Sequence, residues 1–180
     1  MALPLTVILL AGGASRRMGR DKALLRIRGK RAVDLMVEHY GKLGRRVLVA
    51  SGNRCIRRLR VPQITDPAGT RGPLGGLQAG MEASRASWVL LAACDQAPLS
   101  AELLKRLWKR RQGAKAVPLS GSPLPGLYHR SLLPRIRHLR LQGRGPSALP
   151  SRKLDAPIPP SWNTPHELAS FRTGSGQAFR

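Results

Sequence analysis

Leu9-Leu10-Ala11-Gly12-Gly13-Ala14-Ser15-Arg16-Arg17-Met18-Gly19-Arg20-Asp21-Lys22 is the stretch on which the reading of this chain turns. The apolar run Leu5-Thr6-Val7-Ile8-Leu9-Leu10 feeds directly into adjacent glycines, two arginines, a third glycine and a lysine. That pattern describes a buried strand ending in a loop whose backbone can approach a ligand closely, because glycine has no Cβ and tolerates positive φ. Successive N–H groups in such a loop form a concavity suited to phosphate, and the cations add charge complementarity. Two familiar phosphate loops are excluded. A Walker A loop has four residues between its glycines and then Lys-Ser/Thr, whereas five separate Gly13 from Gly19 and Arg20 follows. The G-x-G-x-x-G dinucleotide fingerprint is absent because Gly12 and Gly13 are adjacent.

Leu-Ala-Gly-Gly-x-Ser-Arg-Arg-Met-Gly-x-Asp-Lys, as it stands at residues 10–22, resembles the opening motif of the molybdenum cofactor guanylyltransferases. These belong to a wider group of nucleotidyltransferases with a Rossmann-like sheet; related cytidylyltransferases usually show Leu-Ala-Ala-Gly at this place. Leu3 to Ala14 could also pass for a signal-peptide apolar region with a small-residue cleavage site. No cation precedes that run, and the α/β pattern downstream needs it as its first strand, so a cytoplasmic location is expected.

The length of 180 residues bounds the chain to one core that buries about 70% of its unfolded surface. One nucleotidyltransferase domain is expected over residues 1–172, with a tail at 173–180. No apolar run approaches the roughly 20 residues of a membrane span. Cys55 and Cys94 are isolated, which excludes a disulfide framework or a cysteine zinc site. The balance of 32 Lys+Arg against 9 Asp+Glu gives a formal charge of +23, which invites a nucleic-acid reading. The cations are dispersed, however, and aromatics make up only 4%, too few for a stacking platform. No specific nucleic-acid partner is expected; small polyanionic substrates would be drawn to the same surface.

Downstream, Val33, Met36, Val37 and Tyr40 recur at helical spacing, ended by Gly41 and Gly44. Val47–Ala50 reads as a second buried strand. A short basic helix around Cys55–Leu59 and a third strand near Val61–Thr65 are expected to follow. Asp66-Pro67-Ala68-Gly69-Thr70-Arg71-Gly72-Pro73-Leu74-Gly75-Gly76-Leu77 reads as a glycine-rich loop entering a helix at Leu77 that runs to about Arg85. Its Gly-Pro-Leu-Gly-Gly-Leu resembles the family's second motif. Trp88–Cys94 has the near-continuous apolar character of a central parallel strand. Asp95 follows it, where open α/β sheets place ligands. The family has a short Asp-x-Pro segment there, but here an extra residue separates Asp95-Gln96 from Pro98. Ser100 caps a helix with Glu102 in its first turn.

Ala114–Leu119 reads as a strand, and Ser122–Tyr128 resembles the family's Pro-Leu-x-Ala-x-Tyr strand, with Gly126 for the alanine. A helix over Leu132–Leu141 and a basic, flexible connection from Gly143 to Lys153 are expected next. Asn163-Thr164-Pro165-His166-Glu167-Leu168 combines an N-cap, a first-turn proline and a capping box. It also resembles the family's Asn-Thr-Pro-x-x-Leu motif, whose asparagine lies toward the acceptor.

The fold implied is α/β, a three-layer Rossmann-like nucleotidyltransferase fold with a mostly parallel sheet and helices on both faces. The activity implied is transfer of GMP from GTP to molybdenum-molybdopterin with release of pyrophosphate. Leu10, Ala11, Gly12 and Gly13 are expected at the nucleotide, with the N–H groups of the last three holding it. Arg16 and Lys22 offset charge on the triphosphate, and Asp95 holds Mg²⁺. Asn53 and Asp66 face guanine or ribose, Gly72 to Gly76 flank the acceptor, and Asn163 contacts it. Partner proteins that deliver molybdopterin or receive the product are compatible with this role. Two alternatives stand beside it: a transferase with another base or acceptor, such as a molybdopterin cytidylyltransferase, and a non-catalytic basic module that binds nucleic acid or a protein partner.

Overall fold

The apolar run at the amino end forms β1 (Leu3–Leu10), the strand against which the sheet is assembled. A computed structural model describes residues 2–12, 21–70 and 72–162; Gly13, Arg16, the Asn163–Leu168 motif and the tail at 173–180 lie outside them. A two-residue hairpin, β2 (Arg26–Ile27) with β3 (Lys30–Arg31), precedes α1 (Ala32–Leu43), which passes through Gly41 and ends at Gly44. There follow β4 (Gly44–Ala50), β5 (Gln63–Ile64), α2 (Pro73–Ala83), β6 (Trp88–Ala93), α3 (Ala101–Arg110), β7 (Ala116–Leu119), β8 (Ser122–His129) and α4 (Leu133–Leu141).

The sheet order is β5-β4-β1-β6-β8-β7. The first four strands are parallel, and β8 runs antiparallel to both β6 and β7. Strand alternation assigns the two cores. Leu5, Val7 and Leu9 pack with Val33, Met36 and Tyr40 of α1 and Leu104 and Leu107 of α3. Ile8 faces the other way, with Leu74, Leu77 and Met81 of α2 and Ile136 and Leu139 of α4. The result is the expected helix–sheet–helix sandwich. No helix among the described residues is long and apolar enough to cross a membrane.

Three expectations need correction. No helix forms at Cys55–Leu59, where the chain runs in turns. The Gln63 side chain takes both backbone groups of Ile56: its Oε1 accepts from the N–H at 2.7 Å and its Nε2 donates to the carbonyl at 2.9 Å. Helix α2 starts at Pro73 rather than Leu77, with Gly72 as its cap at φ 82° and proline in the first turn. Gly76 is therefore helical and buried. A Cβ on it would lie 2.4 Å from Leu10 Cδ2, and one on Gly80 would lie 2.3 Å from Ile8 Cδ1. These glycines let the helix backbone rest directly on β1.

The connection from Gly143 to Lys153 is also anchored rather than loose. Pro146 and Leu149 are buried. Arg152 N–H donates to Ala116 O, and Leu154 N–H to Pro118 O, covering the free edge of β7.

Candidate active site

Parallel pairing brings the carboxyl ends of β5, β4, β1 and β6 to one edge of the sheet. The chain leaves β1 toward β4 on one side and returns as β6 on the other, so the crevice above β1 and β6 is a topological switch point. Four loops meet there: the two stems at Ala11–Gly12 and Asp21–Leu25, the turn at Ser51–Arg54, the Asp66 loop and the Asp95 loop.

Lys22 opens a short 3-10 turn whose cap is Asp21; Asp21 Oδ1 accepts from Ala23 N–H at 3.0 Å. From that turn Lys22 Nζ donates to Asp95 Oδ2 at 3.0 Å, with the two side chains 18% and 27% exposed. The loop bearing Asp95 is tied from several directions. Cys94 N–H donates to Leu10 O at 3.0 Å, and Trp162 N–H donates to Asp95 O at 2.9 Å. Ala97 N–H donates to Pro160 O at 2.7 Å. Leu99 is gripped by α1: its N–H donates to Tyr40 Oη at 3.2 Å, and its carbonyl lies 2.8 Å from His39 Nε2. Sequence reasoning missed these ties, because each joins segments far apart in the chain.

The glycine stem differs from expectation. The N–H groups of Ala11 and Gly12 both donate to Ala50 O, at 2.8 and 3.0 Å, so they hold β4 rather than a ligand. A Cβ on Gly12 would lie 2.6 Å from Gly52 N, so glycine there is required by the neighbouring turn. Leu10 ends β1, and its carbonyl accepts from the N–H of Cys94, the residue before Asp95. Asn53 is exposed on the turn beside this stem. Gly72 caps α2, whereas Gly76 faces Leu10, Ala50 and Asp66 as a packing residue.

Asp66 is half-buried against the first turn of α2. Its Oδ1 has no hydrogen-bond partner within the protein, and burial pushes its carboxyl above the usual range. Two strands, β4 and β1, lie between its strand and that of Asp95. The Asp66 carboxylate nevertheless reaches back toward the end of β1: Oδ1 lies 3.6 Å from where a Cβ on Gly76 would sit, a position 2.4 Å from Leu10 Cδ2.

Cys94 is buried below the crevice. Burial first, then the charges of Asp95 and Asp21, push its thiol well above the ordinary value, so it is no nucleophile. Among the described residues no group of three or more His, Cys, Asp or Glu side chains could cage a metal. A single part-exposed carboxylate at the switch point instead suits Mg²⁺ that arrives with phosphate and keeps water in its shell. Arg54, which sequence reasoning did not single out, donates through Nη2 to Ala11 O at 2.6 Å and through Nη1 to Asp21 Oδ2. Its only sequence signal was its place after Asn53.

Residues 7–156 match the MobA-like NTP transferase domain. A Deinococcus radiodurans protein described as a probable molybdenum cofactor guanylyltransferase is 32% identical over 190 aligned positions, covering 97% of each chain. The crystal structure of molybdopterin-guanine dinucleotide biosynthesis protein A from Archaeoglobus fulgidus superposes with a TM-score of 0.78. It is 21% identical and covers 93% of this chain and 97% of its own. A Mycobacterium tuberculosis protein crystallised in complex with manganese superposes at 0.70 with 16% identity, covering 96% of this chain and 100% of its own. At these identities the two structures speak to the fold.

Proposed function

The chain belongs to the MobA-like NTP transferase family, and from that premise we propose that it transfers GMP from GTP to molybdenum-molybdopterin. The observation that carries the reading is the meeting of Lys22 with Asp95 at the switch point. The Deinococcus relative bears the name of this activity along nearly its full length.

In the reaction an oxygen of the acceptor's terminal phosphate attacks the α-phosphorus of GTP. The new P–O–P linkage forms as the bond to the β-phosphate oxygen breaks, and pyrophosphate leaves with the electron pair. A phosphate monoester has a second pKa near ~6, so it is already an anionic nucleophile at neutral pH and requires no general base. What the chain must supply is position and charge. Lys22 neutralises the triphosphate and the departing pyrophosphate, and Arg16 and the Gly13 backbone join it from the same motif. Asp95 would hold Mg²⁺, an assignment supported by its exposure at the crevice and by the manganese complex of a protein of this fold. The chemistry such an ion would supply is neutralisation of phosphate charge. Asn53 and Asp66 face base or ribose; the orphaned Asp66 Oδ1 is an acceptor suited to a ribose hydroxyl or a guanine N–H. Gly72 and Asn163 border the acceptor, which a molybdopterin-carrying protein can deliver.

The test is turnover of GTP against CTP with molybdenum-molybdopterin, with and without Mg²⁺. GTP-selective, metal-dependent release of pyrophosphate that disappears in Asp95→Ala is expected. Equal use of CTP would overturn the choice of base, and undiminished turnover in Asp95→Ala would overturn the metal assignment.

A further inference from the structure

One guanidinium ties together the two stems of the glycine loop. Arg54 Nη2 donates to the carbonyl of Ala11, and Nη1 donates to Asp21 Oδ2. The other oxygen of Asp21 caps the turn that begins with Lys22. Arg54 is itself held in place. Ser51, buried at the end of β4, donates its hydroxyl to Arg54 O at 2.6 Å, and Arg54 N–H donates to Ser51 O at 3.4 Å. The turn that carries Arg54 also rests on Gly12, with Gly12 Cα 3.6 Å from where a Cβ on Gly52 would sit. The contacts thus run from β4 through Arg54 to Asp21, and on through Lys22 to Asp95.

The geometry points to Arg54 as a positioning residue: it clamps Ala11 to Asp21 and so aims Lys22 at Asp95 and at the nucleotide phosphates. The planar fork of arginine suits this task, because it presents N–H groups to a carbonyl and a carboxylate at once. Lysine at this position keeps the charge but lacks the fork. The kinetic part of the inference rests on the function proposed above. Arg54 touches the stems and not the reacting atoms, so its loss lowers the fraction of enzyme ready to bind. Apparent nucleotide affinity then falls by that fraction, while turnover of the bound complex is preserved.

The experiment compares the wild-type chain with Arg54→Lys and Arg54→Gln. In nucleotide-free protein, the acetylation rate of Lys22 by acetic anhydride is measured by mass spectrometry against that of exposed Lys30. Both variants are expected to raise the Lys22:Lys30 ratio severalfold. In the pyrophosphate-release assay both raise KM for GTP about tenfold, with kcat within about threefold of wild type. An unchanged labelling ratio in a folded variant overturns the inference. So does a fall confined to kcat, which would place Arg54 on the reacting phosphates. Increased labelling with no GTP turnover by the wild type would leave the clamp standing and remove the guanylyltransferase reading instead. Arg54→Lys retains the charge and the aliphatic stem, so it keeps the test available if Arg54→Gln fails to fold.

Discussion

Lys22 Nζ lies 3.0 Å from Asp95 Oδ2 although 73 residues separate them in the chain. Without substrate the two charges neutralise one another in a partly buried crevice. Under the function proposed above, a triphosphate with its metal would offer each a stronger partner: phosphate for the ammonium and a divalent cation for the carboxylate. The pair holds both side chains at the crevice, and on that reading the ligand would replace one charge pair by two.

Lys22→Ala removes one preorganised cation from the site. Its kcat/KM for GTP is expected to drop about 10²–10³-fold, the usual scale for losing one group that stabilises developing charge. Steady-state pyrophosphate release measures this, and a loss below threefold would show that Lys22 does not serve the phosphates.

Asp66 presents the reverse case, a group that costs stability where it stands. Its carboxyl is held above its ordinary value by burial, so folding favours the protonated form relative to the unfolded chain. The stability it contributes is complete below its unfolded pKa, near 3.8, and is lost as pH rises through the elevated folded value. Asp66→Asn is therefore expected to raise the unfolding free energy at pH 7, by at most ~1 kcal/mol because the carboxyl is only half-buried, seen as a higher urea midpoint. The gain shrinks as pH falls toward 4, and nucleotide affinity decreases. A midpoint lower than wild type at pH 7 would contradict this account.

Gly80 sets the separation between α2 and β1. Its missing Cβ would meet Ile8 Cδ1 at 2.3 Å and Cγ1 at 2.5 Å. Gly80→Ala is expected to destabilise the fold by about 1–3 kcal/mol through overpacking. Ile8→Ala empties the same space, so the double variant should be more stable than the sum of the two single losses allows. Urea unfolding of the four proteins gives the coupling, and strict additivity would show that helix and strand part elsewhere.

His39 supplies a second pH dependence, of opposite sign. Burial depresses its pKa, assisted by the charge of Lys42, while its contact with Leu99 O opposes the shift; the Tyr40 ring meets it nearly at right angles. The neutral ring is favoured in the folded state, so its contribution is present above its unfolded value near 6.5 and lost as pH falls through the depressed one. The urea midpoint should therefore decline between pH 7.5 and 5.5, and His39→Gln should flatten that decline. An identical slope in the variant would assign the effect to other groups.

Much of the architecture was legible because its signals are local. An apolar run ending in glycines, a helix with period 3.6 and a serine before an amphipathic turn each state their own conformation within a few residues. β1, α1, α3 with its Ser100 cap, and β6 followed by Asp95 were read correctly for that reason. The expected helix at Cys55–Leu59 failed because Gln63, seven residues on, competes for the backbone of Ile56. The start of α2 was misplaced because Gly75 and Gly76 look like loop residues until Leu10 and Ala50 are packed against them.

Which groups face the ligand was a different kind of question. Glycine composition suggested that the Ala11 and Gly12 amides point to phosphate, but neighbouring β4 offers Ala50 O, and a backbone donor takes the acceptor beside it. Arg54 could not be singled out among 32 cations, since its role exists only once β4 lies next to β1. Residue types, their order along the chain and the resemblance of their motifs were enough to expect Lys22 and Asp95 at one site. Their contact, the clamp behind it and the strap through Trp162 arise from strand order, because only packing brings distant backbone groups within hydrogen-bond reach.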